Sequence, residues 1–365
     1  MAITFHPLKV LEVIHETPKA FTIKFAPPED ADFSYLPGQY LTLRTTVNGQ
    51  QERRAFSLSS SPRTDDFLSV TIKAIADGVV SNYLRENLKP GETLESMPPM
   101  GKFTLKPQAD RRQHHIFIGG GSGITPLMSM IKSALQDEPN SPLTLLYANQ
   151  NQEEIIFREE LENLARQYKD RFHLVHVLAE PEAGWQGIKG LISGELANEL
   201  CTEALQRVDE PATFYLCGPT GLMEAAGKVL REDLKISEDN IKREWYSAPV
   251  PGPEDTPTTV GAVTEAAELD EYEIKEQQVK ITLDGDSFTV KVLPDQYILD
   301  AALDAGYDPP FACQEGVCCT CRAKLKSGLV AMDEREGLSD EELADGFVLT
   351  CQSHPLTDDV DLEYM

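Results

Sequence analysis

Apolar residues recur at every second position through the first part of the chain. Phe21, Ile23 and Phe25 share one side of AFTIKF, and Leu68, Val70 and Ile72 share one side of FLSVTIK. That period sends one face of a strand to a core and the other to water. The Asn-Gly pair in VNGQ signals a hairpin turn. One helix interrupts the strands, VVSNYLRENL, with Val80, Tyr83, Leu84 and Leu88 at helical spacing and KPG behind it. Residues 1–107 are expected to form an antiparallel β domain closed as a barrel.

From residue 108 to 246 the rhythm becomes strand, then helix, repeated. HHIFIGG, PLTLLYAN, FHLVHVLA and ATFYLCG read as buried strands, and ITPLMSMIKSAL, EEIIFREELENLARQY and TGLMEAAGKVLREDL as helices between them. Such alternation predicts an α/β domain, a parallel sheet with helices on both faces. Residues 247–277 break every period with Pro, Thr and acids and are expected to be an extended linker. Residues 278–365 open with VKITLDGDSFTVKV, two alternating strands around an Asp-Gly turn, and an apolar-faced helix follows in QYILDAALDAG.

Composition narrows the function. The chain has 365 residues, 41% hydrophobic and 25% charged, which suits several globular cores. No apolar run approaches the roughly 20 residues of a membrane helix, and the start lacks a basic-then-apolar leader, so a cytoplasmic location is expected. Thiols stay reduced there, which favours metal binding or catalysis over disulfides for clustered cysteines. The net charge of −27 argues against nucleic acid or an anionic membrane as partner. The excess is uneven, with 18 acidic against 6 basic residues beyond 277. It serves solubility, or a salt-adapted proteome, or an acidic face for a basic redox partner.

Four of the seven cysteines lie between Cys313 and Cys321. Zinc sites use two C-x2-C pairs, and dithiol oxidoreductases use one at a helix start. The spacing here is Cys313-x4-Cys318-x2-Cys321, with Cys351 thirty residues on, which is the plant-type [2Fe–2S] pattern. A structural zinc site is the competing reading. The segment resembles plant-type ferredoxin domains. That resemblance implies a β-grasp (α+β) fold with Cys313, Cys318, Cys321 and Cys351 as ligands and Cys319 as a bystander.

RRAFSLSS, residues 53–60, resembles the R-x-Y-S-x-S flavin signature of the ferredoxin–NADP reductase superfamily. The resemblance implies that Arg54 meets phosphate, that Ala55 and Phe56 line the flavin, Phe56 standing where many members have Tyr, and that Ser57 reaches the ring edge where hydride arrives. Ile72 and Lys73 of TIK, and Gly78, Val79, Val80 and Ser81 at a helix start suited to pyrophosphate, resemble the next two flavin elements and imply FAD. GGGSGITP follows a strand and opens a helix. Gly121, Ser122, Gly123, Ile124, Thr125 and Pro126 match the superfamily's G-x-G-I-x-P element for the nicotinamide coenzyme, although a tight structural turn reads equally well. Cys217, Gly218 and Pro219 match its C-G-P motif, with Cys217 beside the nicotinamide or simply in the core. REWYS matches its E-x-aromatic ending, with Glu244 as a proton carrier near the flavin or a solvated strand-end acid.

The motif order resembles the reductases of multicomponent oxygenases, in particular those of the phenylacetyl-CoA epoxidase type. It implies an antiparallel β-barrel FAD domain, a parallel-sheet NADPH or NADH domain and a β-grasp ferredoxin domain. The physical logic is that a coenzyme gives two electrons as hydride whereas an iron–sulfur cluster takes one, and FAD mediates between them. The expected acceptor is an oxygenase acting on phenylacetyl-CoA. A steroid hydroxylase or a hybrid-cluster protein is the alternative, and a non-catalytic docking protein with a zinc or empty C-terminal site belongs to a different class.

Overall fold

The computed structural model describes residues 4–247, 258–261 and 274–364. These fall into two compact units, one made of His6–Glu52 with Phe56–Tyr246 and the other centred on the chain beyond Ser247.

In the first unit, β1 (His6–His15), β2 (Ala20–Phe25), β3 (Tyr40–Val47), β4 (Gln50–Ser57), β5 (Leu68–Lys73) and, after helix α1 (Val79–Asn87), β6 (Thr93–Ser96) form a sheet ordered β4-β3-β6-β1-β2-β5. Strand β1 runs antiparallel to β2 and β6, β2 to β5, and β3 to β6. A bridge from Leu58 to Val70 brings the chain beyond β4 back onto β5, so the two ends of the sheet meet. The alternating residues Phe21, Ile23, Phe25, Leu68, Val70 and Ile72 are all buried in one cluster, sealed by Val80 and Leu84 of α1. Asn48 and Gly49 both take positive φ (53° and 84°), as the tight β3–β4 hairpin requires.

The same unit continues into β7 (His114–Gly120), α2 (Ile124–Asp137), β8 (Leu143–Asn149), α3 (Arg158–Gln167), β9 (Phe172–Leu178), β10 (Ile188–Lys189), α4 (Gly194–Gln206), β11 (Ala212–Cys217), α5 (Thr220–Lys228) and β12 (Ile241–Glu244). The sheet is parallel throughout and ordered β10-β9-β8-β7-β11-β12. Helices α2 and α3 cover one face, α4 and α5 the other. Strand order reverses at β7, and the crevice at the ends of β7 and β11 is where such sheets bind ligands. One predicted helix is shorter than its pattern. EEIIFREELENLARQY begins with a single 3-10 turn, and α3 starts only after Phe157, whose φ of 59° breaks the run so that Ile155, Ile156 and Phe157 can enter the core.

In the second unit, β14 (Gln277–Leu283) and β15 (Asp286–Val292) form a hairpin across Asp284 and Gly285, both at positive φ. With β16 (Arg322–Ser327), β18 (Phe347–Leu349) and β20 (Asp361–Tyr364) they build a mixed sheet ordered β15-β14-β20-β16-β18. Helix α6 (Ile298–Asp304) buries Ile298, Leu299, Ala301 and Ala302 against it, and α7 (Asp340–Ala344) is opened by a Ser339/Glu342 capping box. The predicted linker lies largely outside the described residues, but Thr258–Gly261 within it forms strand β13, paired antiparallel with β17 (Leu329–Met332), which also pairs β19 (Ser353–Pro355). The β-branched run TTV explains why this part pairs rather than staying extended.

Candidate active site and metal centre

Three sequence-distant strand ends converge in the first unit. Ser57, the last residue of β4, donates its Oγ hydrogen to Glu244 Oε2 at 3.0 Å and lies 3.1 Å from the Tyr246 hydroxyl. The Tyr246 oxygen in turn lies 2.8 Å from Thr125 Oγ1, which donates to Ser122 O. Parallel pairing of β11 with β12 sets Cys217 opposite Glu244, and pairing with β7 sets it opposite Gly119. Glu244 is half-buried and Tyr246 is 39% exposed, and their polar groups meet at Ser57 Oγ. Burial pushes Glu244 up to about 8, the Ser57 hydrogen bond opposing that rise only in part, so at neutral pH the carboxyl holds a proton beside Ser57 Oγ. Burial, with the nearby Glu244, pushes the Cys217 thiol well up, which keeps it a neutral thiol.

The glycine loops are explained by close approach. A Cβ on Gly123 would stand 2.0 Å from Cys217 O, one on Gly120 2.7 Å from Pro219 Cδ, and one on Gly218 2.9 Å from Gly120 N. The GGGSG and CGP segments therefore pack backbone against backbone, and the glycine at 123 is demanded by the chain itself. Gly121 takes φ of 52°, with open space where its Cβ would be apart from Lys73 Nζ at 3.8 Å. Helices α1 and α2 both start without a side-chain cap from their N-cap glycines, Gly78 and Gly123. Their first amides suit phosphate groups.

The remaining flavin-signature residues separate by role. Ile72 is buried in the barrel core, leaving only its backbone for a ligand, while Phe56 is partly buried against that core. Lys73 Nζ and Lys19 Nζ each bind one oxygen of Glu154 at 2.7 Å, and these two lysines hold the Glu154 carboxyl below its usual range. Arg54 Nη1 donates to Arg53 O at 2.7 Å. Val80 is buried, Ser81 is half-buried and Val79 is exposed at the start of α1.

In the second unit the cysteine run folds into a loop held by Gly337 and by Gln352, beyond β18. Positive φ at Gln314 and Gly316 bends it. Gly337 N donates to Gly316 O at 2.7 Å, and a Cβ on Gly337 would sit 2.3 Å from Cys318 O. Cys318, Cys321 and Cys351 are buried, Cys313 partly so. The thiols are linked, Cys313 with Cys318 and Cys351, and Cys351 with Cys321. Hydrogen bonds from Cys318 and Cys351 push Cys313 down, and the same contacts push its two donors up. Among the described residues no three His, Cys, Asp or Glu side chains close around one point as a single ion needs. Cys313 joined to Cys318 and Cys351, and Cys351 to Cys321, make one connected set of four thiols, the number a plant-type [2Fe–2S] centre takes.

Several residues that frame this loop carried no motif. Gln352 Nε2 donates to Gln314 O at 3.0 Å and Cys351 O at 2.8 Å, tying the two ends of the ligand set together. Thr350 donates to Cys321 O from its hydroxyl at 3.0 Å, and its Oγ1 lies 2.8 Å from Tyr364 Oη. The Cys318 thiol donates to Thr320 Oγ1 at 3.5 Å. Adjacency to a ligand cysteine was the available signal for Thr350, Gln352 and Thr320; for Tyr364 there was none.

Fold and sites together define a flavin- and nicotinamide-dependent oxidoreductase with an iron–sulfur domain. Residues 7–105 match the oxidoreductase FAD-binding domain family, 117–228 the oxidoreductase NAD-binding domain family, and 281–356 the 2Fe-2S iron-sulfur cluster binding domain family. The chain is 36% identical to a component of the 1,2-phenylacetyl-CoA epoxidase of Escherichia coli (strain K12), over 99% of this chain and 98% of that protein. It is 35% identical to the ferredoxin reductase component of the 3-ketosteroid-9-alpha-monooxygenase of Mycolicibacterium smegmatis, over 98% and 96%. The solved structure of phthalate dioxygenase reductase covers 99% of this chain and 98% of its own at a TM-score of 0.59 and 20% identity, a likeness of fold. The chain belongs to the family of NAD(P)H-dependent flavin/iron–sulfur reductases that these proteins represent. It is an NAD(P)H-dependent oxidoreductase in which electrons pass from NAD(P)H through FAD to a [2Fe–2S] cluster. No helix among the described residues is long and apolar enough to cross a membrane.

Proposed function

We propose that the chain is the reductase component of an oxygenase acting on phenylacetyl-CoA. The observation that carries this reading is the similarity to the phenylacetyl-CoA epoxidase component, which covers 99% of this chain and so all three domains. Domains 1–107, 108–246 and 278–365 divide the work. Arg54 to Ser57, Ile72, Lys73 and Gly78 to Ser81 would hold FAD, and Gly121 to Pro126 with Cys217 to Pro219 would hold the coenzyme. Ser57, Cys217 and Glu244 would shape the hydride site, Ser57 placing a hydroxyl and Glu244 keeping a proton beside it. Cys313, Cys318, Cys321 and Cys351 would ligate the cluster from which the partner draws electrons. A cytoplasmic setting supplies NAD(P)H and keeps those thiols reduced.

The comparable similarity to a 3-ketosteroid-9-alpha-monooxygenase reductase component supports a second reading with a steroid-hydroxylating partner. Reconstitution decides between them. The purified reductase is mixed with NAD(P)H and either a phenylacetyl-CoA epoxidase or a steroid monooxygenase, and product is counted per coenzyme oxidised. Coupled turnover of phenylacetyl-CoA is expected. Coupling only with the steroid enzyme would replace the first reading by the second.

A further inference from the structure

Next to the glycine loop, the edge of the parallel sheet beyond β8 and β9 carries charge of one sign. The chain reads NQNQEEIIF at 149–157 and AEPEAGWQG at 179–187, and these two segments hold four glutamates and no lysine or arginine. They lie side by side. Ala179 N donates to Asn149 O at 3.0 Å, Glu180 N to Gln150 O at 2.7 Å, and Glu182 N to Gln152 Oε1 at 2.9 Å. Gln150, Glu153, Glu180 and Glu182 are all exposed.

One polar group at this edge is left open by the fold. Asn149, the last residue of β8, is 8% exposed, yet neither atom of its side-chain amide has a hydrogen-bond partner among the described residues. Such a group costs stability unless a ligand completes it. Tyr147, two residues earlier, gives its hydroxyl hydrogen to Gly121 O at 2.9 Å, which ties this strand end to the glycine loop. His176 faces Tyr147 on β9 with both ring nitrogens unpartnered, and burial pushes it down to about 4. It therefore adds no positive charge at neutral pH.

We propose that the protein selects NADH over NADPH at this edge, the Asn149 amide pairing with the adenosine ribose hydroxyls and Glu153, Glu180 and Glu182 repelling a 2′-phosphate. The proposal rests on the reading of Gly121 to Pro126 as the coenzyme's pyrophosphate loop. A dinucleotide whose pyrophosphate lies on the glycine turn after one strand brings its adenosine ribose to the end of the next, here β8. An amide offers a donor and an acceptor, which is what a ribose hydroxyl needs. A 2′-phosphate carries about −1.5 to −2 charge and calls for a cation, best an arginine. The cations nearby are placed for other work. Lys19 and Lys73 are both bound to Glu154, and Lys73 Nζ stands 3.8 Å from where a Cβ on Gly121 would be, at the pyrophosphate end. Arg158 is bonded to Glu162 at 3.1 Å. Lys189 faces Leu178 in register and Leu178 faces Asn149, so it stands two strands away, roughly 10 Å.

The test uses the FAD-loaded full chain with ferricyanide as acceptor, so that no partner oxygenase enters the result. At low salt kcat/KM for NADH should exceed that for NADPH by about tenfold or more, and the ratio should shrink in about 1 M salt, which screens the glutamates. Against NADH, 5′-AMP should inhibit more strongly than 2′,5′-ADP. Gln150→Arg and Glu180→Lys, both at exposed positions, should each raise kcat/KM for NADPH, together by about tenfold and mainly through KM. Asn149→Leu should raise KM for NADH about tenfold without lowering the melting temperature, because it removes an open amide from the interior. NADPH used as well as NADH, or a coenzyme ratio that neither exposed variant moves, overturns the proposal. Should Asn149→Leu fail to fold, the two exposed variants decide alone. FAD-loaded protein that neither coenzyme bleaches would instead overturn the reading of the glycine loop on which the proposal stands.

Discussion

The proposed hydride site and the thiol cluster are built on opposite principles. The first gathers Ser57, Thr125, Cys217, Glu244 and Tyr246 from the ends of β4, β11 and β12 and the start of α2, held by glycines that let backbones touch. The second takes three of its four thiols from one nine-residue loop, with Cys351 brought up from the turn after β18. Where geometry is spread over many elements, no single residue carries the whole site but many glycines are indispensable. Where geometry is local, the ligands are indispensable and the frame around them only tunes.

The sharpest break of that comparison is at the cysteines. If Cys318, 7% exposed, is the ligand and Cys319 a bystander, Cys318→Ser is expected to abolish or strongly alter the cluster's visible absorption. Cys319→Ser, one position away, should keep the spectrum. Equal loss in both would mean that the loop is adaptable and that ligand identity is not fixed by spacing.

Next in size is Gly123→Val. A side chain there meets Cys217 O at 2.0 Å, so the first unit should lose about 3 kcal/mol or more of stability. Gly221→Ala, in α5 with nothing within 4 Å of the added Cβ, should be neutral or stabilising by about 0.5–1 kcal/mol. Thermal unfolding of the two variants checks both. A Gly123→Val protein that unfolds like the parent and only binds coenzyme poorly would return that glycine to a ligand-approach role.

The same contrast decides how much is readable beforehand. Alternation in AFTIKF and FLSVTIK, the strand–helix rhythm and the turns at Asn48 and Asp284 are short-range signals, and the fold follows them. The grouping of the four thiols is legible because three of them are close in sequence, and the structure brings Cys351 to the same set. The hydride site is legible only as motifs resembling a superfamily. Nothing in the sequence shows that Ser57 meets Glu244 across 187 positions, since that depends on how barrel and sheet pack. The packing reason for Gly123 is hidden by the same cause, because its collision partner at Cys217 is remote in sequence. Phe157 reads as helical from its neighbours' spacing, and core burial of Ile155 and Ile156 outweighs that preference. Strand β13 is masked by the prolines and acids around TTV.

A pH series sharpens the first half of the comparison. Glu244 sits at about 8 in the folded protein against an ordinary 4.5. Below the lower value both states carry the proton. Between the two values the unfolded chain releases it and the folded chain keeps it, so folding stability from this group is lost as pH rises and is gone above about 8. Glu244→Gln stays neutral throughout and should lack that decline when melting is followed between about pH 5 and pH 9. Parallel curves for parent and variant would place Glu244 in solvent and detach it from Ser57.

The smallest expected effect tests whether the frame of the thiol centre tunes rather than builds. Thr320 Oγ1 lies 3.5 Å from Cys318 Sγ and is buried at 2% exposure. When Cys318 is a ligand its sulfur is a thiolate, so the hydroxyl becomes the donor. Reduction places further negative charge on the cluster, and a donor to sulfur favours that state. Thr320→Val preserves shape but removes the donor, and roughly 0.5–1 kcal/mol of differential hydrogen bonding corresponds to a potential about 20–40 mV lower. Thr320→Ser keeps a hydroxyl and should stay near the parent. Spectroelectrochemical titration of the cluster reads the shift directly, with cluster content measured in the same sample. A Val variant at the parent potential would show that the hydroxyl bonds elsewhere, and one that loses its cluster would make Thr320 part of the structure that holds the ligands.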